Sequence, residues 1–231
     1  MNKAKNIASL LLVMLTLVSC KSDHLRPDSQ FDDTEISNNT IKNGNGLLIA
    51  SITNGVRKGF LNDPLNSSLF YIVKSDDVEE YKKSQNTLFK SITVEYSVLN
   101  SDTYSAFGRK SQLKEYGVDG KLNVIELPAG EYALVNWKSV GHAKVFYPIN
   151  FYTQYFTISE NEVTYIGNLH IETLYGKNIF GITIDSGAEP ACEDMSDRDL
   201  EYFDDHYKRY SSLRISKQIV GCRLRGELFS R

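Results

Sequence analysis

Excess positive charge is missing from this 231-residue chain, which carries 26 Lys and Arg against 29 Asp and Glu. A nucleic-acid binder needs a basic patch to neutralise phosphates, so nucleic acid is not an expected partner. Histidine is scarce, with four in all. There is no Gly-x-Ser-x-Gly, no Walker loop, no Gly-x-Gly-x-x-Gly and no His-Glu-x-x-His, so no nucleophile elbow, phosphate cradle, dinucleotide turn or zinc-protease helix is announced. No cofactor is called for, no catalytic residue can be named, and the expectation is a non-enzyme. Cysteine is limited to three residues without a Cys-x-x-Cys pair, which argues against a zinc site. Long apolar runs are absent too. The longest, Ile7 to Val18, would make a helix of about 18 Å, short of the ~30 Å hydrocarbon core of a bilayer.

That run follows Lys3 and Lys5 and ends in Leu17-Val18-Ser19-Cys20. A positive start, a short apolar stretch and a small residue before a fixed point are the marks of a secretory signal. The Leu-Val-Ser-Cys tetrad resembles the bacterial lipobox. The resemblance implies cleavage before Cys20, then thioether and N-acyl (palmitate-type) lipidation of Cys20. An ordinary secretory signal with a chance cysteine is the alternative. Loss of Lys3 and Lys5 with the leader leaves 24 cations against 29 carboxylates, a formal charge of −5. Such a chain has no polybasic help at a membrane surface, so the lipid must hold it there. Lys21 follows Cys20, and by similarity to enterobacterial sorting the absence of Asp there points to the outer membrane, with the domain in the periplasm.

The other cysteines, Cys192 and Cys222, form an even pair in a chain expected to leave the cytoplasm. An oxidising compartment favours a disulfide between them; two separate buried thiols are the alternative.

Residues 1–19 are therefore expected to be a signal peptide and 20–45 a lipidated flexible tether, polar and rich in Asp, Ser and Asn. A mainly β domain should fill 46–185, with a C-terminal helical extension over 186–231 packed on it. Expected strands include Leu47 to Thr53, Leu69 to Val73, and Ile92 to Val98 with strict alternation. Leu122 to Leu127 should turn through Pro128-Ala129-Gly130 into a returning strand from Glu131. Further strands are expected at Lys144 to Ile149, Tyr155 to Ile158, Val163 to Ile171 and Asn178 to Ile184. Short strands at this spacing favour an antiparallel β-sandwich. After Ser196 and Asp199, which fit a capping box, Leu200, Phe203, Tyr207 and Tyr210 recur at helical spacing. An amphipathic helix is expected from about Asp197 to Leu213.

The segment Leu127-Pro128-Ala129-Gly130-Glu131-Tyr132-Ala133-Leu134 is similar to a hairpin common in transthyretin-like (prealbumin-like) β-sandwich modules. Phe156-Thr157-Ile158 followed by Val163-Thr164-Tyr165-Ile166-Gly167 resembles bacterial lipoproteins of unknown function that carry such a module. This resemblance spans about residues 120 to 185 and implies the fold but no catalytic residues.

Candidate binding residues are the aromatics Trp137, Phe146, Tyr147, Phe151, Tyr152 and Tyr155. Such rings stack on sugars or anchor protein interfaces; strand alternation burying half of them is the competing account. His170 and Glu172 would share a strand face, which reads as a chance exposed pair because two ligands do not make a metal site. The acids Glu193, Asp194, Asp197, Asp199, Asp204 and Asp205 lack an Asp-x-Asp-x-Asp-Gly loop. They read as a solvated helix start and not as a calcium site. The expected function is a non-catalytic envelope lipoprotein that binds a protein or cell-wall partner. A small-ligand or saccharide carrier and a hydrolase with dispersed residues are the competing readings.

Overall fold

The computed structural model describes residues 41–54, 67–84, 91–97, 104–105, 108–109, 111–140, 145–148 and 153–222. The expected signal peptide, Cys20 and the expected tether up to residue 40 lie outside them. In chain order the elements are β1 (Asn45–Asn54), β2 (Ser67–Lys74), α1 (Val78–Lys83), β3 (Ile92–Ser97), β4 (Tyr104–Ser105), β5 (Gly108–Arg109), β6 (Asp119–Pro128), β7 (Gly130–Val140), β8 (Val145–Phe146), β9 (Gln154–Ile158), β10 (Glu162–Lys177), β11 (Thr183–Glu193), α2 (Ser196–His206) and β12 (Arg214–Lys217). The protein is mainly β, with two short helices among the described residues.

Two five-stranded sheets dominate. The first orders β11-β10-β1-β6, with β12 also on β10; the second orders β3-β2-β7-β8, with β9 also on β7. Strand alternation accounts for how they meet. Leu48, Ala50 and Ile52 of β1, Ile125 and Leu127 of β6, and Ile166, Leu169 and Ile171 of β10 share one apolar cluster with Phe70 and Ile72 of β2, Val94 and Tyr96 of β3, and Leu134 and Trp137 of β7. The opposite face of the first sheet presents Leu47, Ile49, Leu122, Val124, Val163 and Tyr165 to Tyr202, Phe203 and Tyr210 in and after α2. The opposite face of the second sheet packs Val73, Ala133 and Val135 against Val78 and Tyr81 of α1.

The second sheet is antiparallel throughout its pairings, but the first is mixed: β10 runs parallel to both β1 and β12. This corrects the expectation of a purely antiparallel sandwich. Parallel neighbours need a long connection. More than 100 residues, including the whole second sheet, intervene between β1 and β10.

A second correction concerns Pro128-Ala129-Gly130. β6 pairs with β1 in the first sheet, whereas β7 pairs with β2 in the second. The segment is a corner between sheets and not a hairpin. The Ala129 N–H donates to the Gly44 carbonyl at 2.8 Å, and the Tyr132 hydroxyl donates to the Pro128 carbonyl at 2.8 Å. Ser159 to Asn161 makes another corner between β9 and β10, with Asn161 left-handed at φ 56° and its N–H on the Asn45 carbonyl at 2.9 Å. Both corners close on the start of β1. A Cβ on Gly46 would overlap the Ser159 carbonyl oxygen, which explains glycine there.

The C-terminal elements also differ in detail. β11 runs through position 186, where the helical extension was expected to begin, and β12 adds a strand to the first sheet. α2 ends at His206, and a single 3-10 turn over Lys208–Tyr210 replaces the last helical turn. Cys192 and Cys222 are bonded, with their Cα atoms 5.0 Å apart.

Two expected outcomes follow from the core. Asn123, 3% exposed, shares a strand face with Ile125 and Leu127 on β6, and neither amide atom has a hydrogen-bond partner. Asn123→Leu should raise stability by about 1–2 kcal/mol in thermal or denaturant unfolding, because the orphaned amide is removed. Burial, first of all, pushes the Tyr81 phenol up to about 12 from 10.0. The folded state thus favours the neutral phenol; its contribution is intact below pH 10 and is lost as pH rises towards 12. Stability measured across that window should fall, and Tyr81→Phe should remove its share of the fall, leaving that of the other buried phenols.

Candidate functional site

The six aromatic candidates separate according to strand alternation. Trp137 and Phe146 point between the sheets and are buried in the shared cluster, so they are core residues and not part of a binding patch. Tyr147 and Tyr155 are each about half exposed, and Val145 is exposed beside them. Phe151 and Tyr152 lie outside the described residues. Inward Phe146 and Phe156 set the phase: Val145 and Tyr147, and Tyr155 along β9, face away from the core. β8 and β9 both pair with the same side of β7. The exposed rings therefore line one margin of the second sheet's outer face, the face that α1 covers further in.

His170 and Glu172 sit on β10 opposite Ala191 and Glu189. His170 enters a polar network that sequence spacing did not reveal. Its Nδ1 lies 2.9 Å from the Thr53 carbonyl and 3.2 Å from Thr53 Oγ1. Thr53 Oγ1 donates to Asn168 Oδ1 at 3.2 Å, and Ser51 Oγ lies 2.9 Å from the same oxygen. Asp199, fully buried, gathers the rest. Ser51 Oγ donates to its Oδ2 at 2.5 Å and Tyr165 Oη at 2.7 Å. Arg198 holds Oδ1 through Nε at 2.8 Å and Nη2 at 2.7 Å. Burial, then the Asp199 charge, pushes the Tyr165 phenol well up, so it remains a hydroxyl donor to the carboxylate.

Chemically this is a lock. Ser51, His170 and Asp199 are not arranged as a nucleophile, base and orienter: Ser51 bonds the carboxylate directly, and His170 bonds Thr53. The expected capping box is likewise corrected. Asp199 turns inward to the sheet, Met195 is the N-cap with no side-chain cap bond, and Asp194 Oδ1 accepts the Ser196 N–H at 3.0 Å. The Ser196 side chain first, and then this backbone bond, hold the Asp194 carboxyl below its usual range. Among the described residues, no three His, Cys, Asp or Glu side chains converge as a metal site would require. The acids Glu193, Asp194, Asp197, Asp204 and Asp205 are exposed. His24 and His142 lie outside the described residues.

Sequence reasoning missed a second surface by reading Asn178 to Ile184 as a strand. Asn178 to Ile182 is instead the turn that joins β10 to β11. Gly181 N–H donates to the Asn178 carbonyl and Asn178 N–H to the Ile182 carbonyl, each at 2.9 Å. Asn178 Oδ1 accepts from Phe180 and Ile182 N–H at 2.9 and 3.0 Å. Gly181 is left-handed at φ 74°. This closed turn presents Ile179, Phe180 and Ile182 outward, 93%, 79% and 60% exposed. The signal available in the sequence was Asn-x-x-Gly, a turn pattern hidden inside a β-prone apolar run.

The Asp199 lock is open to a direct test. Asp199→Ala leaves the nearly buried Arg198 guanidinium without its carboxylate. It should cost roughly 3 kcal/mol in denaturant unfolding and open α2 to limited proteolysis.

No protein family and no curated protein matches the chain. Among solved structures, it is similar to a leucine-rich repeat protein from Bacteroides thetaiotaomicron at 11% identity and a TM-score of 0.26. That likeness covers 81% of this chain and 27% of the other, and at so low a score it carries no argument about fold or function.

Proposed function

We propose that this chain is a non-catalytic cell-envelope lipoprotein, anchored through Cys20, whose two-sheet, transthyretin-like sandwich binds a protein partner through the exposed tyrosines of its second sheet. The observation that carries the reading is the outward placement of Tyr147, Tyr155 and Val145 along one sheet margin while their neighbours Phe146 and Phe156 fill the core. Tyrosine offers a large rigid contact area at low entropic cost and a hydroxyl to satisfy, the combination favoured at protein interfaces. The polar stretch before Ile41 suits a tether. Ile41 itself packs against the α2 side of the first sheet, so the body of the domain reaches back at least to that residue. Placement at the outer membrane belongs to the same proposal and rests on Lys21.

Two measurements test this. Metabolic acyl labelling should mark the intact chain, and Cys20→Ala should abolish the label and release the protein from the membrane fraction. Photocrosslinking from position 155 should give one discrete protein adduct that is lost in Tyr147→Ala. Adducts with glycan alone would replace the protein partner with a cell-wall one. Crosslinks that Tyr147→Ala leaves unchanged would contradict this surface.

A further inference from the structure

From the closed apolar turn at the end of the β10–β11 ribbon we infer a second contact surface, one that dips into the lipid of a bilayer. Between Asn178 and Ile182 there is no charged side chain, and the only polar one, Asn178, is consumed within the turn. A protein interface of ordinary kind sets its register with hydrogen bonds across the contact. This tip offers none from its side chains, which suits a fluid apolar phase better than a shaped pocket. The backbone is prepared for the same phase. Four of the five N–H groups, those of residues 178, 180, 181 and 182, are bonded inside the turn. An apolar medium penalises every backbone donor left unpaired. Lys177, exposed at the base of the tip, can extend its ammonium to phosphate headgroups.

The inference rests on the lipid-anchor reading for the nearness of a bilayer. β10 runs parallel to β1 and continues beyond it, so the tip lies about 50 Å from the level at which the chain enters β1. The 21 steps along the chain from Cys20 to Ile41 reach at most about 75 Å. The domain can thus lie along the membrane with both Cys20 and the tip inserted. The anchor keeps the lipid at high effective concentration, so a weak second contact suffices.

The test places tryptophan at the tip in the full-length lipidated protein. Phe180→Trp adds one exposed reporter to the buried Trp137, whose unchanged emission checks the fold. In phosphatidylethanolamine–phosphatidylglycerol vesicles with brominated acyl chains, the added emission should shift to the blue and be quenched. Adding Ile179→Ser should weaken tip insertion about tenfold, the loss expected for one apolar side chain. Emission that stays water-like and unquenched overturns the inference. So does a blue shift seen only in native envelopes and not in protein-free vesicles, which would assign the tip to a protein pocket. Intact mass reports acylation of Cys20 separately. An unacylated chain that is still quenched defeats the anchor and spares the tip; an acylated, unquenched chain does the reverse.

Discussion

One extra residue in the middle of β10 decides which face each later side chain uses. β1 pairs Ile49 with Tyr165 and then Ser51 with Asn168, so β10 gains a residue across Gly167. Before the bulge, Val163 and Tyr165 face α2; after it, Asn168 and His170 do, while Leu169 and Ile171 enter the core between the sheets. Strand side chains alternate with period two, so a strand without the insertion would send Asn168 inward and Leu169 outward. The backbone angle favours glycine there, and room for a side chain is tight. The Gly167 φ is 112°, and a Cβ would sit 3.1 Å from the Glu193 carbonyl oxygen. Asn168 joins the Asp199 lock from beyond the bulge, through Ser51, Thr53 and Arg198, so that part of the network depends on this single backbone feature.

The C-terminal segment then holds the two sheets together by a different route. After α2, β12 lies along β10, and Gln218 N–H donates to the Tyr165 carbonyl at 2.8 Å. The Gln218 side chain reaches to the second sheet, accepting from Thr157 N–H at 2.9 Å and donating to its carbonyl at 3.0 Å. One amide side chain thereby occupies part of the open edge of β9, where unpaired backbone would invite a foreign strand. The Cys192–Cys222 bond closes a loop of about 31 residues around α2 and β12. In chain-entropy terms that is worth about 3.5–4 kcal/mol. Lock, strand and disulfide fasten the same helix from three sides, which leaves the far end of the β10–β11 ribbon free to project.

Much of this was legible in the sequence, for identifiable reasons. Val94 and Tyr96 sit inward because Ile92 to Ser97 alternates without interruption. Leu200 and Phe203 pack on the sheet side because their spacing follows a helix. Other features were not legible because two structures share one local signature. Pro-Ala-Gly serves a hairpin and a corner between sheets equally well, and only the partner strand distinguishes them. Trp137 looked available because aromatic density says nothing about which side of a strand is inward. Asp199 looked like a cap because its partners Ser51 and Tyr165 are 148 and 34 residues away. The apolar tip was hidden because Ile-Phe-Gly-Ile satisfies strand propensity while Asn178 and Gly181 bend it.

The bulge is the claim to test first, by hydrogen exchange of the intact protein with and without Gly167→Ala. If the account is right, protection should fall together in β10 beyond Tyr165, in β1 around Ser51 and throughout α2, since all three depend on the altered alternation. Loss confined to the two or three amides next to position 167, with α2 as protected as before, would show that the lock and the ribbon do not depend on it.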